Sequence, residues 1–429
     1  MRAIALLIIV GILLIKALTD PMIGLMTWSW LSYMNPHRFT FGFGYTFPFV
    51  AIAAGVTFIA FLLAKNERFS FPLTPVSSVW LVFTIWVTIS ALFALVPEDA
   101  FQEWTRLIKI QLMILMTFIL VNNKKRILLL VWVIVLSIGY YGVKGGLFSL
   151  LTGLQYRVIG PPSTFFSENN TMALVILMVI PLMYFLFLHS KYKWVRYGLL
   201  AAMLLSFVSV LGSYSRGALL GLMAMSFFLW LGSRNKTAIM TIVLSALLIG
   251  APFVPQKWYD RMDTIKDYKQ DESAMGRINA WEFAVNVAND SPFIGGGFRV
   301  FTPELFQIYA PDPEHYADAH SIYFEVLGEQ GYMGLILFLM IWLLTFLEAR
   351  KIKKMVKGRG DIQWMSDLVK MVQVGLIAYL ATGAFLGLAY FDLPYHYMSI
   401  VVITGVLCRN AMNSREAKYD ETKDLSSTR

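Results

Sequence analysis

Cysteine is almost absent from this chain: Cys408 stands alone among 429 residues. An intrachain disulfide framework is excluded, and so is a cluster of thiolate metal ligands. Cys408 lies inside an apolar run and reads as a small buried apolar residue. Histidine is scarce as well, with only His37, His189, His315, His320 and His396. No two of these have the spacing of metal ligands on one helix face, so no metal site is expected. Charge is low: 15% of residues are Asp, Glu, Lys or Arg, against about 25% in a soluble domain. The G-x-x-x-x-G-K-[ST] loop, the dinucleotide fingerprint and the G-x-S-x-G elbow are all missing. No cofactor is expected, and any group this protein transfers must arrive already activated.

Apolar residues are abundant. They make up 57% of the chain and recur in runs long enough to cross a bilayer, which marks a polytopic membrane protein. The first run, Ala3 to Ile15, is interrupted by Lys16 and by Asp20-Pro21, then resumes from Met22 to Met34 with Trp28 and Trp30. This pattern predicts one span plus an interfacial or broken piece. Later runs include Ser78–Leu95, Leu107–Val121, Thr237–Phe253 and Ile322–Leu347, and the total comes to about twelve spans.

The net charge of +9 belongs to the same pattern rather than to nucleic-acid binding. Basic clusters occupy alternate connections: Lys65/Arg68, Lys124/Lys125/Arg126, Lys191/Lys193/Arg196, Arg234/Lys236 and the group from Arg350 to Arg359, with Arg409 and Arg415 in the tail. By the positive-inside rule that side is cytoplasmic, and both termini are expected there. Residues 1–253 form the first spans, numbered 1–10, and residues 320–411 the last, 11 and 12. The connection 254–319 carries six basic and eleven acidic residues, which breaks the pattern and marks a small external domain. Its clearest helix is predicted at Gly276 to Asn289, where Ile278, Trp281, Val285 and Ala288 share a face. Ser291-Pro292 ends it and Gly295-Gly296-Gly297 turns the chain back. The polar stretch 412–429 reads as a disordered cytoplasmic tail.

Chemistry concentrates on the external side. His320 falls where the polar connection meets the apolar run, in D-A-H-S-I-Y-F-E-V-L-G-E-Q-G. An imidazole accepts a proton near neutral pH, which suits a general base; the alternative is a plain interfacial residue. Glu325 and Glu329 follow on one helix face, Glu329 about 13 Å along the axis from His320. A carboxyl so deep in a span is either functional or a structural hydrogen-bonding group that fixes the helix. Arg157, Arg216 and Arg277 all belong to external segments. Converging, they would clamp a phosphate with planar forks; singly, each fits snorkelling to headgroups or pairing with loop carboxylates.

H-S-I-Y-F-E-V-L-G-E-Q-G resembles the His-Asn/Ser…Glu-x-Gly signature of the O-antigen ligase and polymerase superfamily, with Ser321 where Asn is commoner. S-R-G at Ser215–Gly217, R-x-x-x-W at Arg277–Trp281 and P-F-I-G-G-G-F at Pro292–Phe298 stand in the family's order. The N-terminal half, through D-P-M-I-G at Asp20–Gly24 and Y-M-N-P-H-R at Tyr33–Arg38, resembles the branch of exosortase-associated O-glycosylation ligases.

The resemblance implies an all-α polytopic membrane protein of about 12 transmembrane helices, with a small helical periplasmic domain between spans 10 and 11. It implies a metal-independent glycosyltransferase of the bacterial inner membrane, acting at the periplasmic face. The donor would be a glycan on undecaprenyl diphosphate. The acceptor would be a sugar hydroxyl of lipid A–core oligosaccharide, as in lipopolysaccharide biosynthesis. In this scheme His320 is the base, Arg157, Arg216 and Arg277 hold the diphosphate, and Glu325 and Glu329 are structural or orienting. An O-antigen polymerase and a protein O-oligosaccharyltransferase would use the same donor. A transporter of polyprenyl-linked sugars is the reading from another class.

Overall fold

A computed structural model describes residues 1–64, 70–232, 236–237, 255–256, 258 and 272–427. Nearly all of the run expected to span at Thr237–Phe253 lies outside the described residues. Among those described, the regular segments are helical and no strand occurs. Among the described residues, six helices are long and apolar enough to cross a bilayer. They include α4 (Pro75–Leu92), α6 (Lys124–Leu151), α7 (Asn169–His189) and α8 (Lys193–Leu211). The others are α12 (Ile322–Val356) and the segment Gly360–Gly383, most of which is α13 (Gln363–Gly383). Shorter apolar helices are α3 (Phe49–Leu63) and α9 (Arg216–Leu231). A lipid-exposed span must satisfy its own backbone, and helices do so within one segment. Cys408 is fully buried, as its apolar setting predicts.

The first two helices correct the sequence reading. α1 (Arg2–Ala17) and α2 (Pro21–Met34) are separate elements. Asp20 breaks them apart: its carboxylate accepts the Met22 N–H at 2.9 Å, and Pro21 takes the first helical position. Asn35 ends α2 in the left-handed conformation, φ 46°. Ala17 packs against Gly24 near the start of α2, and Ala3 against Gly44, beyond its end. The two helices therefore form an antiparallel hairpin, rather than one span plus an interfacial or broken piece. The first residues of the chain consequently lie at the end of the bundle that holds Arg38, whose guanidinium donates to the Ser163 carbonyl at 3.2 Å. The last helix, α14 (Asp392–Ser427), starts at that end and runs to the opposite one, where Arg409 pairs with Glu348. α14 stays helical to Ser427, through the stretch whose composition reads as a disordered tail.

α2 is almost wholly interior, and its polar groups are matched by α14. Ser32 Oγ donates to Asp392 at 2.6 Å. Tyr33 and Thr117 lie at 2.5 and 3.2 Å from the two ring nitrogens of His396. His396 is thus a satisfied core residue, since buried polar groups persist where they find partners. Close approach elsewhere relies on small residues. A Cβ on Gly142 would stand 3.0 Å from that of Ser206, and one on Gly212 3.0 Å from that of Ser149, which lets α6 and α8 pack tightly.

The connection before α12 folds into a small domain with its own core. α10 (Glu272–Asp290) agrees with the predicted helix within a few residues. Its Ala280, Phe283, Ala284 and Val287 pack on Val300, Phe301, Ala319 and Phe306 of α11 (Pro303–Tyr309). Phe283 and Phe306 stack with centroids 4.3 Å apart. Asn279 binds the carbonyls of Asp312 and His315 at 2.8 and 2.9 Å, so the chain leading to His320 is fastened to α10.

Candidate active site

α12 is not one straight rod. Gly331, at φ 67° and ψ −174°, divides it into a short helix that follows His320 and a long apolar one. The triglycine turn fills the break. Gly296 and Gly297 donate to the carbonyls of Gly328 and Glu329 at 2.8 and 2.9 Å, and Tyr332 donates to Pro292 at 2.9 Å. Leu95 donates to Gly296 at 2.8 Å, and Ser90 Oγ to Ile294 at 2.8 Å. A Cβ on Gly295 would lie 2.5 Å from Gly331 N, and one on Gly297 2.5 Å from Ala94 Cα. These glycines serve close backbone contact, the reason for the P-F-I-G-G-G-F pattern in this fold.

The short half of α12 faces a cavity of about 460 Å³. His320, Glu325 and Glu329 line it together. Asp99, Glu103 and Arg106 reach it from the first turns of α5 (Pro97–Leu120), Glu168 from the segment before α7, and Arg299 and Asp318 from the small domain before α12. Phe165, Tyr316, Tyr390 and Phe391 supply aromatic wall. His320 is half-buried, and its backbone φ of 42° is left-handed, unusual for a non-glycine residue. Its ring makes no hydrogen bond to a described residue. Held strain at a cavity wall is a mark of function when the surroundings over-determine it.

Six carboxyl groups, those of Asp99, Glu103, Glu168, Asp318, Glu325 and Glu329, line this space against the guanidinium groups of Arg106 and Arg299. Glu103 lies between the two arginines, 2.9 Å from Arg299 and 3.6 Å from Arg106. Burial pulls the Arg299 guanidinium down, but Glu103, with Glu329 and Asp318 behind it, outweighs burial and holds it above the usual arginine value. Arg299 also gives its backbone N–H to Glu329 at 2.9 Å, and Ala389 gives its own to Glu325 at 3.1 Å. The two glutamates are therefore tied to flanking backbone. Burial, and then the Asp318 charge, push the Tyr316 phenol up, which keeps it a neutral hydrogen-bond donor.

A second, smaller space adjoins the first. Arg216 and Arg277 line a crevice of about 20 Å³ with Asn170, Tyr214, Phe385 and Leu386, and Leu386 also lines the large cavity. Ser215 caps α9 there, its hydroxyl accepting the Ala218 N–H at 3.2 Å, so the positive end of that helix lies at the crevice. Arg157 is exposed and does not line it, but its charge acts on Tyr214, a wall residue. The structure thus brings Arg216 and Arg277 together, with Arg157 at the edge, and sets His320, Glu325 and Glu329 in the neighbouring cavity. Arg106, Arg299 and Glu103 escaped the sequence reading. Arg106 was absorbed into the margin of an apolar run, and Arg299 looked like an ordinary loop charge beside the glycines.

The family model described as O-antigen ligase matches residues 201–339. That match, over about a third of the chain, supports membership of the O-antigen ligase superfamily. The ligase segment carries Arg216, Arg277, Arg299, His320, Glu325 and Glu329 in one stretch. A family of unknown function matches residues 1–191, which supply Asp99, Glu103, Arg106, Arg157 and Glu168. The cavity therefore draws residues from both matched regions, and its Leu386–Phe391 wall from neither. No curated protein matches the chain. Its apolar helices and its family together make it a membrane-embedded protein of the glycosyltransferase-like, O-antigen ligase kind.

Proposed function

We propose that this protein is an O-antigen ligase that moves a glycan from undecaprenyl diphosphate to a sugar hydroxyl of lipid A–core oligosaccharide, without a metal and with inversion at the anomeric carbon. The observation that carries the reading is the adjacency of the His320 cavity and the Arg216/Arg277 crevice, which share Leu386 inside the ligase-matched segment. His320 removes the proton from the acceptor hydroxyl. The oxygen attacks the anomeric carbon as the carbon–oxygen bond to phosphate breaks, and undecaprenyl diphosphate leaves with the electron pair. The proton remains on the imidazole until it passes to water.

Charge assigns the two halves of the substrate pair. A diphosphate entering the large cavity would face six carboxyl groups. The crevice offers Arg216, Arg277 and a helix N-terminus, a setting that stabilises anions. The diphosphate therefore belongs over the mouth of the crevice, with Arg157 reaching it from the rim, and the acceptor sugar to the cavity, whose carboxylates accept hydroxyl hydrogen bonds. Glu325 and Glu329 hold the backbone around it. The site faces the periplasm of a bacterial inner membrane, since the segments that build it lie opposite the basic clusters.

Purified protein given lipid-linked donor and lipid A–core acceptor, with neither nucleotide nor added metal, should form a new glycosidic bond. Growth of the donor glycan on its own carrier would instead identify a polymerase, and label on a protein acceptor an oligosaccharyltransferase. Unaltered substrate appearing on the other leaflet would identify a transporter. Arg216→Gln and Arg277→Gln should each raise the donor KM by about ten- to a hundredfold, the scale of a lost charge-assisted contact, and leave the acceptor KM nearly unchanged. Equal donor KM in both variants would remove the arginines from the donor site.

A further inference from the structure

α10 carries a second residue aimed at the site, one turn beyond Arg277. The Trp281 indole N–H donates to the Ala319 carbonyl at 2.8 Å, immediately before His320. The ring lies flat on Phe324 of α12, with centroids 4.9 Å apart and planes 9° from parallel. It also meets Phe385, a wall residue of the arginine crevice, at 6.2 Å. Trp281 thus touches the segment that ends in His320, the helix that begins after it and the neighbouring crevice, without lining the cavity itself.

We propose that Trp281 is a positioning residue for His320. The inference rests on the preceding reading of His320 as the base. His320 has a left-handed backbone, a conformation that relaxes toward the extended region unless its neighbours hold it. Ala319 is buried in the external core and is fixed by the indole bond. Without that bond the peptide before His320 is free to turn, and the imidazole swings with it. Because Arg277 and Trp281 lie one helical turn apart on α10, the donor crevice and the base are also set by a single rigid element. The R-x-x-x-W spacing then has a purpose: one residue reaches for the donor and the other keeps the base in register with it.

Trp281→Phe removes the N–H and retains a ring to stack on Phe324. Steady-state transfer should show kcat lower by about ten- to a hundredfold, the cost of a misplacement near 1 Å, with donor and acceptor KM unchanged. In a His320→Asn background the same change should cost less than about twofold, since groups acting through one another are not additive. Unchanged kcat in Trp281→Phe overturns the proposal. So does a loss that multiplies onto His320→Asn, or a rise in donor KM at constant kcat, which would make Trp281 part of the donor crevice alone. Where His320→Asn is too slow to measure, the kcat-against-KM split decides. If Trp281→Phe fails to fold, Phe324→Leu, which removes the stacking partner and leaves the N–H, carries the same test. Wild-type transfer by His320→Asn would instead defeat the assignment of the base, a separate and recognisable result.

Discussion

Replacing His320 with Ala or Asn should lower kcat for glycan transfer by about 10²- to 10⁴-fold, the contribution of a positioned general base. At 1.36 kcal/mol per factor of ten this is roughly 3–5 kcal/mol of lost transition-state stabilisation. The protein should remain folded and membrane-inserted. The imidazole is half-buried and makes no hydrogen bond to a described residue, so its removal orphans no partner. Asn is the more informative variant. It tolerates the left-handed backbone at φ 42° better than Ala does, so a loss of rate cannot be blamed on local strain. Either variant transferring glycan at near the wild-type rate would end the mechanism.

Gly331→Ala should be the most destabilising single change outside the deep core. The observed φ of 67° and ψ of −174° belong to a region that only glycine occupies readily. A Cβ there would stand 2.7 Å from the Phe293 carbonyl carbon and 2.8 Å from Gly295 N, backbone atoms with no room to move. Strain and overlap together should cost roughly 3 kcal/mol or more. The damage would also reach the site, because Gly331 is the joint at which the segment bearing Glu325 and Glu329 leaves the line of the apolar helix. A thermal melt in detergent should drop clearly, with donor turnover lost alongside it. A melt matching wild type would mean that the joint can straighten without harm.

The elements that could be read from sequence share one property: the signal was local. The apolar runs Ser78–Leu95 and Ile322–Leu347 gave helices at α4 and α12, and the periodicity of Ile278, Trp281, Val285 and Ala288 placed α10. His320 stood out because a polar segment meets an apolar one there. The failures are tertiary. Glu103 and Arg299 are almost two hundred residues apart, and nothing in either neighbourhood announces an ion pair. Gly331 carries no local signal of a break, since the N–H groups that satisfy the helix carbonyls there come from the triglycine turn. α1 and α2 read as one span plus an interfacial or broken piece because two helices of 16 and 14 residues each fall short of a bilayer's width. Only the packing of Ala3 on Gly44 reveals that the chain doubles back.

That reversal matters to anyone attaching a reporter. A domain fused ahead of Arg2 should lie at the end of the bundle that holds the cavity, and one joined after Asn413 at the opposite end. Alkaline phosphatase, which needs an oxidising compartment, should be active in the first fusion and silent in the second, and a fluorescent protein that matures only in the cytosol should behave the other way round. A purification handle at the beginning of the chain would also crowd the entrance used by a bulky glycolipid, so the far end is the safer place for one.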